Sequence, residues 1–475
     1  MTSHFPAPGE PVGATTDEGS SAIPVVAGLR AIGAVTALGL PSVASGIIAR
    51  RHLVMPLLEK ARADALSIEV FRRLRDEFGR GPIEFRLPGR RVVLLLDPDD
   101  VARVLDDSPD PFTPANREKR AALGAFQPHG VLISQGDIRA RRRVVNEAAL
   151  ETPKPLHGAS DSMARTIDRE ISIFAQQVGE TGAFTAADFT RVWWRIARQV
   201  TLGESARDDT DVTDRLWKLR ANGNWSYLTP PRRRLRDRFF ESLYDYADRA
   251  EPGTLVHALA SVETAPAVDP VGQIPHWLFA FDAAGMATLR ALAVLAAHPD
   301  RLAEVRREAS ERPVGNAATL PIHRACILES LRLWPTTPAI LRDSTRPTVW
   351  RTPGGARATV PEGSMFIILT PPLHRDRDRF DFANAFTPDI WIDGRADGLH
   401  TLLPFSGGPA ECPGRNVALF VSSTVLSAVV TAFDRIEQVS APRLQPGGDL
   451  PPTLNHYGLK FAAAQGSRAT TEENT

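Results

Sequence analysis

Pro404-Phe405-Ser406-Gly407-Gly408-Pro409-Ala410-Glu411-Cys412-Pro413-Gly414-Arg415 places a cysteine at the end of a loop rich in glycine and proline. An apolar run, Val417 to Val421, follows directly and reads as the start of a helix. Unpaired backbone N–H groups and the positive end of that helix both favour an ionised thiol. A thiolate held in this way is a metal ligand, and the iron of haem is one metal it takes. Gly407, Gly408 and Gly414 permit turns and the close approach of a flat group. On this stretch alone the alternative is a buried cysteine in a glycine-rich loop, and the rest of the chain has to decide.

The stretch reads F-x-x-G-x-x-x-C-x-G, with Phe405, Gly408, Cys412 and Gly414 in the four fixed places. It resembles the haem-binding loop of the cytochrome P450 family. The resemblance implies a haem b cofactor with Cys412 as the axial thiolate.

The chain has 475 residues, 43% of them apolar, enough for a large core. Cys326 and Cys412 are the only cysteines, which excludes a disulfide scaffold and fits a reducing, cytoplasmic setting. The formal net charge is zero, so nothing global points to nucleic acid. Lysine occurs only at positions 60, 119, 154, 218 and 460, and arginine carries the remaining positive charge. Residues 1–25 and 466–475 read as disordered tails around a haem domain spanning 56–465. Residues 26–55 are expected to pack on that domain or touch a membrane surface. Their uncharged run, 31–49, is barely long enough to span a bilayer and is broken by Gly33, Gly39, Pro41 and Gly46.

Taken in order, the pattern predicts a helix over 62–78 and two strands, 83–87 and 91–96, joined at Pro88-Gly89. A short helix then begins at Pro98. Gly136 to Glu147 carries Arg139, Arg141, Arg142 and Arg143; Arg139 and Arg143 lie one turn apart. Helices over 211–219 and 232–246 flank Trp225-Ser226-Tyr227-Leu228. A helix from Pro275 to about Ala297 is apolar nearly all round and holds one acid, Asp282. Asp282 either has a function or caps a break near Gly285. Glu329 and Arg332, three residues apart on a mostly apolar helix, can pair.

Set beside the family, these features imply a mainly helical P450 fold with a small β-rich lobe. Arg139, Arg143, Arg342 and His400 are then expected near the haem propionates, while Ala410 stands where the family has a further arginine. Glu329 and Arg332 match the structural pair behind the haem loop, with Ile390 in place of that network's usual second arginine. Ala280, Ala339, Ile340, Trp225, Tyr227 and Leu228 are expected along the substrate channel. Asp282 matches the acid of the central helix, but Ala283 replaces the threonine that follows it.

The resemblance implies a monomeric monooxygenase acting on a small, mostly apolar molecule. Electrons would come from a ferredoxin or flavodoxin with its NAD(P)H-dependent reductase, docked near Arg139–Arg143 and Arg415. Ala283 leaves open a peroxide-driven peroxygenase or a redox-neutral dehydratase or isomerase. A haem carrier or gas sensor is the reading outside enzymology.

Overall fold

The computed structural model describes residues 22–45, 50–352 and 354–465. Of the tails expected at 1–25 and 466–475, residues 1–21 and 466–475 lie outside the described residues, as does the end of the apolar N-terminal run at 46–49. The rest of the first tail is misassigned, because Ile23 is buried and Val25 pairs with Glu84 as a strand.

Helices dominate. The first part of the chain forms α1 (Gly28–Ser45), α2 (Met55–Lys60), α3 (Ala63–Phe78), α4 (Pro98–Asp106), α5 (Arg117–Leu123), α6 (Gly136–Ala149), α7 (Ser160–Thr181) and α8 (Ala186–Leu202). There follow α9 (Thr210–Gly223), α10 (Arg233–Arg249), α11 (Leu255–Ala260), α12 (Ile274–Ala296), α13 (Pro299–Ser310), α14 (Pro321–Leu333), α15 (Thr370–His374) and α16 (Arg415–Ala432). Local signals account for several starts. The Asp97 side chain caps α4 ahead of Pro98, the Asn116 side chain caps α5, and Thr185 and Asp188 form a reciprocal capping box on α8.

The strands are β1 (Val25–Val26), β2 (Ile83–Leu87), β3 (Arg90–Leu94), β4 (Phe112–Thr113), β5 (Ala183–Thr185), β6 (Ala339–Ser344), β7 (Thr348–Arg351), β8 (Arg357–Val360), β9 (Met365–Leu369), β10 (Arg435–Gln438) and β11 (Lys460–Ala464). Most of the β-lobe is one sheet in the order β1-β2-β3-β9-β6-β4. In it β6 runs antiparallel to β9, with Ala339 opposite Leu369 and Arg342 opposite Phe366. That register brings the chain leaving α14 past the cysteine loop.

Two cores result. The larger joins α6 to α9, α12 to α14 and α16 around Trp193, Leu289, Phe420 and Phe433. The smaller sits under the sheet, around Phe71, Phe85, Phe112, Trp350 and Phe366. The cysteine loop lies where they meet, its Gly407 against Leu105 of the β-lobe core and its Phe405 against the larger one. The described part of the apolar N-terminal run packs back on the protein. In α1, Ala31 and Leu38 are buried, and Arg30 ion-pairs with Glu77. Among the described residues two helices are long and apolar enough to cross a membrane, Val271–Ala296 and Arg415–Ala432, and both are mostly buried.

Candidate active site

The cysteine loop is closed by its own backbone. The Cys412 amide donates to the Phe405 carbonyl at 3.0 Å, and the Glu411 amide donates to the Gly408 carbonyl at 2.9 Å. Gly408 has φ +62, and a Cβ there would lie 2.2 Å from the Leu105 carbonyl oxygen, so no other residue fits without moving α4. From the other side the Thr152 hydroxyl donates to the Pro413 carbonyl at 2.8 Å. Burial pushes the Cys412 thiol up, while the Gly414 amide and the Arg143 guanidinium pull it down. Burial outweighs the local help expected from the sequence. A cation bound at sulfur is what would hold the thiolate in so enclosed a place.

Behind the loop, Glu329 and Arg332 are fully buried. Arg332 Nε and Nη2 donate to the two carboxylate oxygens at 2.8 and 2.6 Å. Arg332 also donates to the carbonyls of His374, Ala383, Phe382 and Ala385. Glu329 accepts from the Thr387 amide at 2.8 Å and from Trp391 Nε1 at 3.0 Å. The network that Ile390 left incomplete in the sequence is therefore completed by its neighbour's indole. Ile390 itself is buried in a small apolar cluster with Phe380 and Leu402. His374 joins the pair to the loop: its Nε2 accepts from the Leu403 amide at 2.8 Å. Burial, with Arg332 beside it, depresses the His374 pKa to about 3, so the ring is neutral at physiological pH.

The arginines divide into two kinds. Arg139 is buried with its Nε unbonded, and burial beside Arg143 lowers its pKa. Arg342 is also buried; its Nε donates to Ser108 Oγ at 3.0 Å and its Nη2 to Ser406 Oγ at 3.3 Å. Burial, followed by Arg139, depresses the Arg342 pKa to about 10. Among the described residues neither is ion-paired with a carboxylate, and both stand close to the cysteine loop, Arg342 through Ser406 and Arg139 beside Arg143. Arg143 differs from the expectation: it bonds Glu147 at 2.5 Å and the Glu411 carbonyl at 2.6 Å, which commits it to bracing the loop. His400 lies exposed in a turn ahead of the loop and is not placed to compensate for Ala410. The basic patch expected at Arg139–Arg143 also shrinks. Arg139 and Arg142 are buried, Arg415 pairs with Glu411 at 3.0 Å, and Arg141 stays exposed.

On α12 the residues between Ile274 and Leu295 are buried except His276, Phe279, Ala280, Asp282, Ala283 and Ala284. Positions 276, 279, 280 and 283 share one helical face, so this buried helix keeps one open side. The helix is unbroken through Gly285, which rules out Asp282 as the cap of a break. Gly285 is needed for another reason: a Cβ there would meet Trp193 Nε1 at 2.7 Å, and that indole donates to the Phe281 carbonyl. Asp282 is ion-paired instead. Arg220 on α9 donates to it through Nη2 at 2.5 Å, with its guanidinium 4.7 Å from the Phe279 ring centroid.

Two channel expectations need correction. Trp225, Tyr227 and Leu228 turn outward and are 49%, 61% and 77% exposed, because α9 continues to Gly223 and the turn after it points to solvent. Arg51 covers the Trp225 ring from outside, 4.8 Å from its centroid. In β6 successive side chains alternate: Ile340 is buried in the β-lobe core, while Ala339 and Leu341 share the other face. Three contributors had escaped sequence reading. Trp391 and Arg220 act through long-range contacts that no spacing reveals, whereas Lys119, one of only five lysines, was a signal that could have been followed.

These features suit a planar, dianionic group carrying iron. Cys412 offers a sulfur ligand, Gly408 gives a backbone surface free of side chains, and Arg139 and Arg342 are cations awaiting carboxylates.

The description "Cytochrome P450" matches a family model over residues 280–453. The chain is 27% identical over 389 residues to cyclooctat-9-en-7-ol 5-monooxygenase of Streptomyces melanosporofaciens, covering 74% of this chain and 82% of that protein. It is 31% identical over 164 residues to the cytochrome P450 monooxygenase pvhE of Talaromyces variabilis, a match spanning 31% of this chain and only 30% of that relative's length. The solved structure of retinoic acid bound cyanobacterial CYP120A1 superposes with a TM-score of 0.67 at 18% identity, covering 83% of this chain and 93% of that one. That likeness shows the mainly helical fold with its β-lobe.

Proposed function

We propose that this chain is a cytochrome P450, a haem-thiolate monooxygenase acting on a mostly apolar organic molecule; the family match over residues 280–453 and the shared fold support this reading. The observation that carries this reading is the enclosed Cys412 loop flanked by two buried, acid-free arginines. Cys412 would ligate the iron, Arg139 and Arg342 would hold the propionates, and Phe405 and Gly408 would shape the loop against the group. Haem, once bound, would supply the oxidising chemistry, and every other task falls to the protein.

Ala280, Ala283 and Ala339 offer small apolar surfaces on which a substrate can lie. Asp282, flanking the open face of α12, is the proton-handling group. Its carboxylate is held by Arg220, so roof helix α9 and central helix α12 are joined at the point where protons must pass. With Ala283 in the threonine position, that task is left to Asp282. The match to an oxygenase of cyclooctat-9-en-7-ol supports an apolar substrate, and electrons are assigned to a separate ferredoxin or flavodoxin with its reductase.

Purified, haem-loaded protein tests this over fatty acids, terpenes and aromatics. One arm supplies NAD(P)H, ferredoxin, reductase and labelled dioxygen; the other supplies hydrogen peroxide alone. Labelled product in the first arm, abolished by Cys412→Ser, is the expected result. Product in the peroxide arm alone would replace the monooxygenase with a peroxygenase, the reading that Ala283 favours.

A further inference from the structure

Lys119 lies on the first turn of α5 and is half-buried, with protein packed around its side chain. Its ammonium has three N–H donors, and one bond accounts for it: Nζ donates to the Leu341 carbonyl at 3.0 Å. Buried cations here are better served. Arg290, for example, spreads three bonds over the carbonyls of Leu454 and Trp334. Among the described residues Lys119 has no ion pair, and the nearby acids Glu118 and Asp343 both pair with Arg90. Burial and the neighbouring Arg342 hold its pKa well below the usual lysine range.

Charge count, not distance, separates Lys119 from the propionate arginines, since Lys119 Nζ and Arg342 Nη1 share the Leu341 carbonyl. Arg342 reaches the cysteine loop through Ser406, and Arg139 sits beside the loop-bracing Arg143. Haem brings two carboxylates, which those two arginines suffice to match. Lys119 also neighbours His276, on the open face of α12. His276 Nδ1 meets Gln127 Oε1 at 3.0 Å, which leaves the buried Gln127 Nε2 as an unbonded donor in the same neighbourhood. A half-buried amine and a buried amide, both short of acceptors, call for an acceptor that carries negative charge.

We propose that Lys119, with Gln127, receives a carboxylate on an otherwise apolar substrate, so that this protein oxidises organic acids. The inference rests on the haem-enzyme reading above and narrows its substrate class. Burial makes the contact selective: an ester or alcohol of the same shape leaves the cation unpaired, whereas a carboxylate restores its charge and satisfies it.

The test titrates haem-loaded protein with three matched pairs, following the Soret band: dodecanoic acid, abietic acid and 4-tert-butylbenzoic acid, each against its methyl ester. At least one acid should bind tenfold or more tightly than its ester. Lys119→Met should erase that preference with ester binding and haem content unchanged, and Lys119→Arg should keep most of it. Equal binding of acids and esters, no shift with any acid, or a preference that survives Lys119→Met would overturn the proposal. So would loss of haem from Lys119→Met, which would make Lys119 a propionate ligand. A wild-type chain that takes up no haem would sink the haem-enzyme reading and this inference with it. Haem uptake without acid preference sinks this inference alone.

Discussion

The two sides of the site are built on opposite principles. Behind the cysteine loop the polar groups are densely bonded: Arg332 satisfies one carboxylate and four carbonyls, Glu329 takes two further donors, and His374 ties the pair to the loop. On the α12 side the polar groups hang on single contacts. Asp282 depends on Arg220, Lys119 on one carbonyl, and His276 on one amide. A fully connected buried network has one low-energy arrangement and is rigid. Groups with donors to spare can take up a ligand or move a proton. The rigid side would hold a cofactor, and the loosely satisfied side would do chemistry on what arrives.

That contrast breaks first, and hardest, at Glu329. Glu329→Ala leaves Arg332 as an uncompensated buried charge and should cost about 3–5 kcal/mol. Denaturant unfolding should show it, with little haem-loaded protein recovered; a change under about 1 kcal/mol would mean the pair is dispensable. Trp391→Phe removes one donor to the same carboxylate and keeps the ring, so a loss of about 2 kcal/mol is expected by the same measurement.

Acid should probe the rigid side next. The buried His374 has its pKa depressed to about 3, so protonation favours the unfolded chain, where the ordinary value is about 6.5. Its stabilising contribution is full above pH 6.5 and is lost as pH falls from there toward 3, at up to roughly 1.4 kcal/mol per unit. His276, depressed to about 4 by burial and then by Lys119, adds to the same window. Unfolding midpoints at pH 7.5, 6 and 5 should fall less steeply in His374→Gln than in wild type; identical slopes would remove His374 as their source.

The loosely satisfied side should respond in rate and not in fold. Arg220→Met frees Asp282 from the roof helix. Turnover should change about tenfold, with a larger solvent isotope effect, while thermal stability shifts by about 1 kcal/mol or less. Unchanged turnover with a large stability loss would make the pair structural.

How far each side was legible follows from how each is built. Cys412, Gly408 and the Glu329–Arg332 pair sit in short motifs whose members are sequence neighbours, so turn chemistry and helical spacing expose them. The long α12 was equally readable, because a helix buried on nearly all sides is apolar throughout. Arg143 and His400 were misjudged because a cation's partner cannot be read from its position along a helix or in a turn. Ile340 was misjudged by overlooking that adjacent strand residues face opposite ways.

By itself, then, the sequence determined the helical fold, the place of the cysteine loop and the one acid on the central helix, since all of these are local patterns. Tertiary structure alone decided which cations remain without acids. Trp391 stands in for a missing arginine, Arg220 crosses from the roof to Asp282, and Lys119 ends beside His276. Each of these depends on residues far apart in the chain being brought into contact, and burial then sets what an unpaired charge costs.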